Sequence, residues 1–413
     1  MSVESSVVVI GAGQAGGQAA VSLRQFGYEG QIHLVGEEAA PPYQRPPLSK
    51  DYLKGKLERE RLFLKPRQFY EDSKIDLKTG VKVTGIDRHT RTVSLSQGED
   101  LSYDKLIFAT GSRARQLPTP GADLQNVFDL RTLDDIGQLK PAMQMGNKLL
   151  IVGAGYIGLE AAAVAREFDL EVTVLEMADR VLARVTSPVM SDFYQRLHES
   201  QGVSVRTNSM LKELVGRDGR VTYAVLSDGE KIDCDIVLVG IGILPNEELA
   251  ADAGIACKSG ILVDRDCRTN DPDVYAIGDC AHRPLVHYGR DGRLESVHNA
   301  IEQGKIAAAH IVGKDRPAED VPWFWSDQYN IKLQIAGLSQ GYDEVVVRGD
   351  PTSQSFAVFY FLAGKLISVD AVNAPPEFLS AKRLIAANAK ISPENVADVS
   401  VSMKEIMTAA LAR

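Results

Sequence analysis

Short apolar runs alternate with helical patterns over the first two thirds of the chain. Val7 to Ile10 and Leu149 to Val152 are uninterrupted apolar runs, typical of parallel strands buried on both faces. Each run is followed by glycines, a stretch compatible with a helix and a second apolar strand. This order predicts two βαβ units, accompanied by β-rich segments at Val81 to Leu106 and Val221 to Gly242.

Beyond the second unit, the pattern predicts a return to the first domain and then a separate C-terminal segment. The return runs through Gly260 to Asp279 and a helix near Asn299 to Val312. In the C-terminal segment, strand patterns and helical patterns follow one another. The strands are expected at Lys332 to Leu338, Glu344 to Arg348 and Phe356 to Leu362, and the helices at Pro376 to Asn388 and Met403 to Leu411.

The same glycine pattern follows the first strand of both units. It is Gly11-Ala12-Gly13-Gln14-Ala15-Gly16 in the first and Gly153-Ala154-Gly155-Tyr156-Ile157-Gly158 in the second. The glycines allow a tight turn and a close approach of a pyrophosphate to the next helix. Each unit then ends in an acid, Glu37 or Glu176, which can accept hydrogen bonds from an adenosine ribose. Two complete fingerprints predict a flavoprotein oxidoreductase with one FAD and one nicotinamide site.

These features predict an α/β fold with two Rossmann-like dinucleotide-binding domains and a C-terminal α+β domain. Residues 1–112 and 244–321 are expected to form the FAD-binding domain. Residues 113–243 are expected to form an NAD-binding domain inserted in it, and residues 322–413 the C-terminal interface domain.

Composition and charge narrow the functional classes. The 413 residues are 44% hydrophobic and carry a net charge of −9, which argues against a general binder of nucleic acid or acidic lipid. We expect no membrane span, since no uncharged apolar run reaches the ~18–20 residues required. The opening Met1-Ser2-Val3-Glu4 lacks the basic region of a signal peptide. No cysteine spacing suggests a metal site, so a reducing cytoplasm is expected; the cysteines are Cys234, Cys257, Cys267 and Cys280.

Several motifs together resemble those of the putidaredoxin reductase family, and the resemblance covers essentially the whole chain. Besides the fingerprints they are Pro46-Pro47-Leu48-Ser49-Lys50, Ile277-Gly278-Asp279-Cys280, Glu295-Ser296-Val297 with Asn299-Ala300, and Pro322-Trp323-Phe324-Trp325-Ser326-Asp327-Gln328. The resemblance implies an FAD-dependent NADH–ferredoxin reductase that takes hydride from NADH and passes single electrons to a [2Fe-2S] ferredoxin. That ferredoxin would serve a haem-thiolate (cytochrome P-450-type) monooxygenase or a Rieske aromatic-ring dioxygenase.

The resemblance also assigns individual residues. Lys50 and Glu160 are expected as catalytic residues near the flavin ring and the nicotinamide, and Asp279 at the flavin ribityl chain, whose hydroxyls a carboxylate can bind. The non-covalent FAD site would comprise Gly11, Gly13, Ala15, Gly16, Glu37, Lys50, Val83, Ala109, Thr110, Gly111, Arg131, Gly278, Asp279, Val297 and Trp325. The NAD site would comprise Gly153, Gly155, Tyr156, Ile157, Gly158, Glu160, Glu176 and Gly242.

Each assignment has an ordinary alternative. Lys50 would then be a solvated lysine, Glu160 an acid that merely begins a helix, Asp279 a turn residue and Trp325 a packing residue. His298 departs from the family pattern, in which this position is proline. A histidine beside the flavin could tune it by titrating near neutral pH, and the alternative is a hydrogen-bonded histidine without catalytic effect.

Glu176 also predicts a preference for NADH, because its carboxylate would repel the 2′-phosphate of NADPH. Arg180 and Arg184 follow it, but Glu176 and Asp179 offset their charge. Ferredoxins of this type are usually acidic, so docking needs local basic residues with a salt-sensitive on-rate. By resemblance these are Lys305, Lys332 and Lys404, each of which is otherwise an ordinary surface lysine.

Two other classes compete with this interpretation. A disulfide reductase of the glutathione-reductase type needs redox cysteines near Gln44 to Ser49, yet no cysteine precedes Cys234. An NADH-responsive interaction or sensor flavoprotein of the apoptosis-inducing-factor type would share the folds. Strong turnover with a ferredoxin would distinguish the reductase from the sensor.

Overall fold

A computed structural model of the chain describes residues 5–145 and 147–412. The first four residues, on which the expectation about a signal peptide rests, lie outside the described residues. The chain forms two compact units. Unit 1 consists of the described part of Met1–Arg45 with Glu58–Arg113 and Ile243–Asp320, and unit 2 of Pro46–Leu57, Ala114–Gly242 and Val321–Arg413 in so far as they are described.

The strands are numbered in chain order. They are β1 (Ser6–Ile10), β2 (Gln31–Gly36), β3 (Ile75–Thr79), β4 (Val83–Asp87), β5 (Thr92–Leu95), β6 (Leu101–Ser102), β7 (Lys105–Phe108), β8 (Ser112–Ala114), β9 (Val127–Phe128), β10 (Lys148–Val152), β11 (Glu171–Leu175), β12 (Val203–Arg206), β13 (Leu211–Arg217), β14 (Arg220–Leu226), β15 (Lys231–Asp233), β16 (Ile236–Val239), β17 (Ile243–Pro245), β18 (Ile261–Leu262), β19 (Val274–Ala276), β20 (Ala281–Leu285), β21 (Arg290–Gly292), β22 (Trp323–Gln328), β23 (Ile331–Gly337), β24 (Glu344–Gly349), β25 (Phe356–Leu362) and β26 (Lys365–Val372).

The α-helices are α1 (Gln14–Gln25), α2 (Arg67–Asp72), α3 (Leu133–Met145), α4 (Tyr156–Glu167), α5 (Pro188–Ser200), α6 (Glu248–Asp252), α7 (Val297–Ile311), α8 (Pro375–Ala386), α9 (Pro393–Ala397) and α10 (Met403–Leu411). Short 3-10 helices lie at Pro46–Ser49, Arg59–Leu62, Gly278–Cys280 and Val286–Tyr288.

Unit 1 is organised around a parallel five-stranded sheet in the order β19-β7-β1-β2-β3. Val7 and Val9 of β1 join the core beneath α1 and α7, whereas Val8 and Ile10 join a second core on the opposite face. This explains why the run is apolar without alternation. Helices α1 and α7 approach closely at Gly304, where a Cβ atom would lie 3.1 Å from the backbone of Ala15.

Unit 2 contains a second parallel sheet, in the order β12-β11-β10-β16-β9, and an antiparallel sheet in the order β22-β23-β26-β25-β24. The antiparallel sheet buries Phe359, Phe361 and Val369 against α8 and α10, which contribute Leu384 and Ile406. Phe359 and Phe361 are two positions apart along β25, so one face of that strand contributes to this core.

The predicted α/β fold class with its C-terminal α+β domain is confirmed. The four-segment division remains a prediction. Within residues 5–145 and 147–412, no helix is long and apolar enough to cross a membrane.

Candidate functional site

The first fingerprint has no room for side chains at two glycines, Gly11 in the loop after β1 and Gly16 in the first turn of α1. A Cβ atom on Gly11 would overlap the carbonyl oxygen of Ala109, and one on Gly16 would overlap that of Gly11. Gly11 also has a φ of 107°, which favours glycine. Gly13 instead has nothing within 4 Å of its Cβ position and adds no side-chain cap to α1. The first N–H groups of α1 therefore lie next to open space, where a pyrophosphate can bind them. We call this arrangement, a glycine loop followed by the free N–H groups of a helix, a cradle.

Other predicted FAD residues of unit 1 lie close to this loop. The contact between Gly11 and Ala109 brings in the Ala109–Gly111 segment. A Cβ atom on Gly278 would lie 2.9 Å from that of Ala15, and the neighbouring Asp279 carboxylate accepts a 2.8 Å hydrogen bond from Ser112. The structure thus brings the glycine loop and the Gly278-Asp279 motif together.

The remaining FAD candidates of unit 1 differ in exposure. Val83 is buried in β4, and Val297 is the first residue of α7. The Glu37 side chain is 71% exposed and lies 3.3 Å from the Lys82 ammonium. Its carboxylate is therefore accessible to a ribose.

Arg45 is a functional candidate of unit 1 that the sequence interpretation missed. Its Nη2 lies 2.5 Å from Glu38 Oε1, and its Nη1 donates to the Tyr43 hydroxyl at 3.0 Å. Burial by itself would lower the pKa of Arg45, but Tyr43, Glu38 and Asp279 outweigh it and raise the pKa. The guanidinium is a fixed positive charge that interacts with Asp279. Only the Tyr-x-Arg spacing signals it in the sequence.

The loop between β10 and α4, together with the first turn of α4, has the same arrangement of glycines in unit 2 as the first fingerprint has in unit 1. A Cβ atom on Gly153 would meet the carbonyl oxygen of Gly240, one on Gly158 would overlap that of Gly153, and Gly155 again has open space. Glu176 is held at this loop because its Oε2 accepts from the Ala154 amide at 2.9 Å. The other carboxylate oxygen accepts from the Ala178 amide, also at 2.9 Å.

The two arginines that follow Glu176 are placed differently. The Arg180 guanidinium donates to the carbonyl oxygens of Thr186 and Ala183 and to the Ser191 hydroxyl. The Arg184 guanidinium lies near Gly242, at 3.4 Å from its Cβ position. The guanidinium of Arg180 therefore already donates its hydrogen bonds to acceptors within the protein.

Two fingerprint side chains of α4 differ in exposure to solvent. Ile157 is 39% exposed. The Tyr156 ring packs on Phe324 with a centroid distance of 5.0 Å, and its buried hydroxyl has no hydrogen-bond partner among the described residues. Burial raises the pKa of Tyr156 well above its ordinary value.

Lys50 and Glu160, the two predicted catalytic residues, form an ion pair within unit 2. Lys50 Nζ lies 2.6 Å from Glu160 Oε2, and the Ser49 hydroxyl donates to the same oxygen at 2.6 Å. Ser326 donates to Glu160 Oε1 at 2.7 Å. The Glu160 side chain is 3% exposed and that of Lys50 15%. A cavity of about 180 Å³ adjoins the pair, lined also by Asp51, Lys54, Ala163, Val164, Asp327 and Tyr329.

The other predicted residues of unit 2 either contact neighbouring residues or are exposed. The Arg131 backbone N–H donates to Asp135, and the Trp325 ring packs on Trp323 with a centroid distance of 5.5 Å. Lys332 on β23 and Lys404 on α10 are exposed, as is Lys305 on α7 of unit 1. A role in binding FAD or ferredoxin remains a prediction for these residues.

His298 of unit 1 lies against a carboxylate. Its Nε2 is 3.3 Å from Asp320 Oδ2, and the histidine side chain is 16% exposed. This contact is compatible with the hydrogen-bonded alternative, and a role of His298 in tuning the flavin remains a prediction.

Comparison with known proteins places the chain among flavoprotein reductases. The family model described as "pyridine nucleotide-disulphide oxidoreductase" matches residues 5–304, and the "reductase C-terminal" model matches residues 323–407. Rhodocoxin reductase of Rhodococcus erythropolis is 45% identical over 97% of this chain and 93% of its own. Putidaredoxin reductase of Pseudomonas putida is 42% identical over 100% of this chain and 99% of its own. The crystal structure of the covalent putidaredoxin reductase–putidaredoxin complex matches with a TM-score of 0.97, 42% identity and coverage of 99% of each chain.

Proposed function

The chain belongs to the pyridine nucleotide-disulphide oxidoreductase family, and we propose that it is an FAD-dependent NADH–ferredoxin oxidoreductase. It takes reducing equivalents from NADH and delivers single electrons to a [2Fe-2S] ferredoxin. That ferredoxin serves a haem-thiolate monooxygenase or a Rieske dioxygenase.

The observation that carries this proposal is the pair of equivalent cradles. In each cradle two glycines exclude a Cβ atom, while the glycine that begins the helix leaves open space. A pyrophosphate fits beside the exposed N–H groups of such a helix. Two dinucleotides in one chain are what transfer from a nicotinamide to a flavin requires, so both cofactors suit the residues present.

Bound FAD supplies the conversion between a two-electron donor and one-electron acceptors. The residues of the chain bind the two dinucleotides and orient their reacting rings. In unit 1 the α1 cradle would hold the pyrophosphate, and Asp279 would accept hydrogen bonds from the ribityl hydroxyls. In unit 2 we assign Lys50 to the reacting rings, with its ammonium fixed by Glu160 at 2.6 Å.

NADH is proposed as the physiological donor because of the charges around the second cradle. Glu176 is held at the loop by two backbone N–H groups, where a 2′-phosphate would be repelled. The guanidinium of Arg180, the nearer of the two arginines that follow in sequence, donates to three protein acceptors instead.

A cytoplasmic location is proposed from the cysteines, all four of which are free thiols. Burial raises the pKa of Cys234 and Cys267 to about 12 each. Such thiols are poor nucleophiles at neutral pH, which fits a reductase that does not use thiol chemistry.

The test is reconstitution of the whole reaction. The purified protein should contain one FAD per chain, released on denaturation, and should reduce a [2Fe-2S] ferredoxin with NADH over many turnovers. Flavin that stays with the denatured polypeptide would contradict the non-covalent assignment. A long-lived complex with NADH and negligible turnover would favour the sensor alternative.

A further inference from the structure

A chain of buried polar side chains runs from Glu160 to Tyr329 within unit 2. Ser326 Oγ lies 2.7 Å from Glu160 Oε1, and Gln328 Nε2 lies 3.1 Å from that hydroxyl. Gln328 Oε1 is 2.8 Å from His198 Nε2, and His198 Nδ1 is 3.1 Å from the Tyr329 hydroxyl. Glu160 and the three residues between it and Tyr329 are each at most 3% exposed.

The chemistry of these groups gives every hydrogen bond one direction. An ionised Glu160 only accepts, so Ser326 must donate its single hydroxyl proton to it. The Ser326 oxygen can then only accept, which requires the NH₂ group of Gln328 to face it and leaves the amide oxygen facing His198. His198 therefore carries its proton on Nε2, and Tyr329 donates to the bare Nδ1.

The histidine is suited to this fixed arrangement. Burial lowers the pKa of His198 to about 4, so the ring is neutral at physiological pH. A neutral ring has one donor and one acceptor nitrogen, as the chain requires. The ring also packs on Tyr329 with a centroid distance of 5.1 Å.

The backbone at Tyr329 is an independent sign that this residue is held for a purpose. Tyr329 has a φ of 55° and is the first residue of the two-residue turn that connects β22 and β23. Glycine or asparagine is usual where such turns need a positive φ, and bulky side chains are uncommon there. Strained conformations persist only when their surroundings determine them, and here the contacts with His198 do so.

We propose that Tyr329, His198, Gln328 and Ser326 form a positioning relay that holds Glu160 in one rotamer against Lys50. All four are positioning residues, since their effect reaches the reacting groups through Glu160. Removing the Ser326 hydroxyl would leave Glu160 Oε1 buried without a donor, which permits the carboxylate to turn away from Lys50. The consequence for catalysis rests on the proposed function, because it assumes that Lys50 acts at the reacting rings.

Stopped-flow reduction of the FAD-loaded protein by NADH tests that consequence. Ser326→Ala should lower the limiting rate of flavin reduction about tenfold, with the Kd for NADH changed less than about twofold. Ser326→Thr keeps the hydroxyl and should recover most of the rate. Ser204→Ala, at an exposed serine of β12 in the same unit, is the matched control and should behave as the unmodified protein. An unchanged rate in Ser326→Ala, or an equal loss in the threonine variant, would overturn the proposal.

The tautomer of His198 tests the relay without using activity. In ¹⁵N-histidine-labelled protein, the signal that disappears in His198→Gln should show a proton on Nε2 and none on Nδ1 at pH 7. A proton on Nδ1 would overturn the relay. Failure of the unmodified protein to be reduced by NADH would refute the proposed function instead. The tautomer of His198 would still show whether the relay exists.

Discussion

Asp370 is a carboxyl group buried among hydroxyls. It is 1% exposed and lies 2.5 Å from the Thr186 hydroxyl and 2.6 Å from the Tyr360 hydroxyl. Burial raises the pKa of Asp370 to about 6, although both hydroxyls act in the opposite direction. This folded-state pKa lies above the unfolded value of about 3.9. The folded chain therefore binds the proton more tightly, and stability from this residue falls as pH rises from about 4 to about 6.

Asp370→Asn should remove that pH dependence. Relative to the unmodified protein, the free energy of unfolding of the variant should rise by roughly 2 kcal/mol between pH 4 and pH 7, since one pKa unit corresponds to about 1.4 kcal/mol and the unfolded carboxyl is already half ionised near pH 4. Denaturant titrations at several pH values measure it. Asp192→Asn, at an exposed position of α5, is the control and should show a much smaller trend. A difference between Asp370→Asn and the unmodified protein that does not vary with pH would contradict the assignment.

Glu176 can be tested as the residue that selects the nicotinamide. Glu176→Ala should narrow the ratio of kcat/KM between NADH and NADPH, because repulsion of the 2′-phosphate is relieved. We expect a change of about tenfold, equivalent to ~1.4 kcal/mol. Steady-state kinetics with both nucleotides provide the measurement. If the variant keeps the original ratio, Glu176 does not face the ribose.

At the scale of elements, the glycines of the first fingerprint should have two different roles. Gly16 is required for close packing of the folded chain, whereas Gly13 leaves space for the ligand. Gly16→Ala would bring a Cβ atom into the Gly11 carbonyl oxygen, so we expect a loss of about 1–3 kcal/mol in apoprotein stability. Gly13→Ala meets no atom within 4 Å and should leave apoprotein stability nearly unchanged. Its methyl group would instead occupy the cradle and weaken FAD binding about tenfold or more, equivalent to ~1.4 kcal/mol.

Thermal unfolding of the apoproteins and flavin fluorescence titrations distinguish these two effects. Gly80→Ala would not serve as a control, because Gly80 has a φ of 71°. Gly137→Ala is suitable, since that glycine lies inside α3 with open space around it. Equal weakening of FAD binding by Gly13→Ala and Gly137→Ala would argue against the cradle.

The elements best anticipated from sequence are those with an uninterrupted or strictly periodic apolar pattern. The runs at Val7 to Ile10 and Leu149 to Val152 are strands as expected, and Met403–Leu411 is a helix with the expected bounds. Strands β22 and β26 were not anticipated. Asp370 and Ser368 are buried in β26, so polar residues interrupt its apolar face, and the aromatic run of β22 has no alternation.

At the scale of the whole molecule, local pattern does not disclose which distant segments meet. Pro46–Leu57 is flanked in sequence by parts of unit 1, yet its contacts belong to unit 2, where Lys50 pairs with Glu160. Resemblance suggested this pair. His198 and Gln328 are 130 positions apart, and neither carries a local signal of the hydrogen bond that joins them. Such networks follow from tertiary packing, which a single sequence does not reveal.

The two half-reactions provide the last prediction, because they should respond to different charges. Lys50→Ala should slow flavin reduction by NADH by about tenfold or more, since it removes a short-range charge assigned to the reacting rings. Changing Lys305, Lys332 and Lys404 together to Gln should leave that step unchanged and slow electron transfer to ferredoxin. The slowing should be largest at low salt, because ions screen a steering field but not a short-range contact. Stopped-flow measurements of each half-reaction at two ionic strengths would separate the two effects. If the triple variant slowed only the reduction by NADH, the docking assignment of these lysines would be wrong.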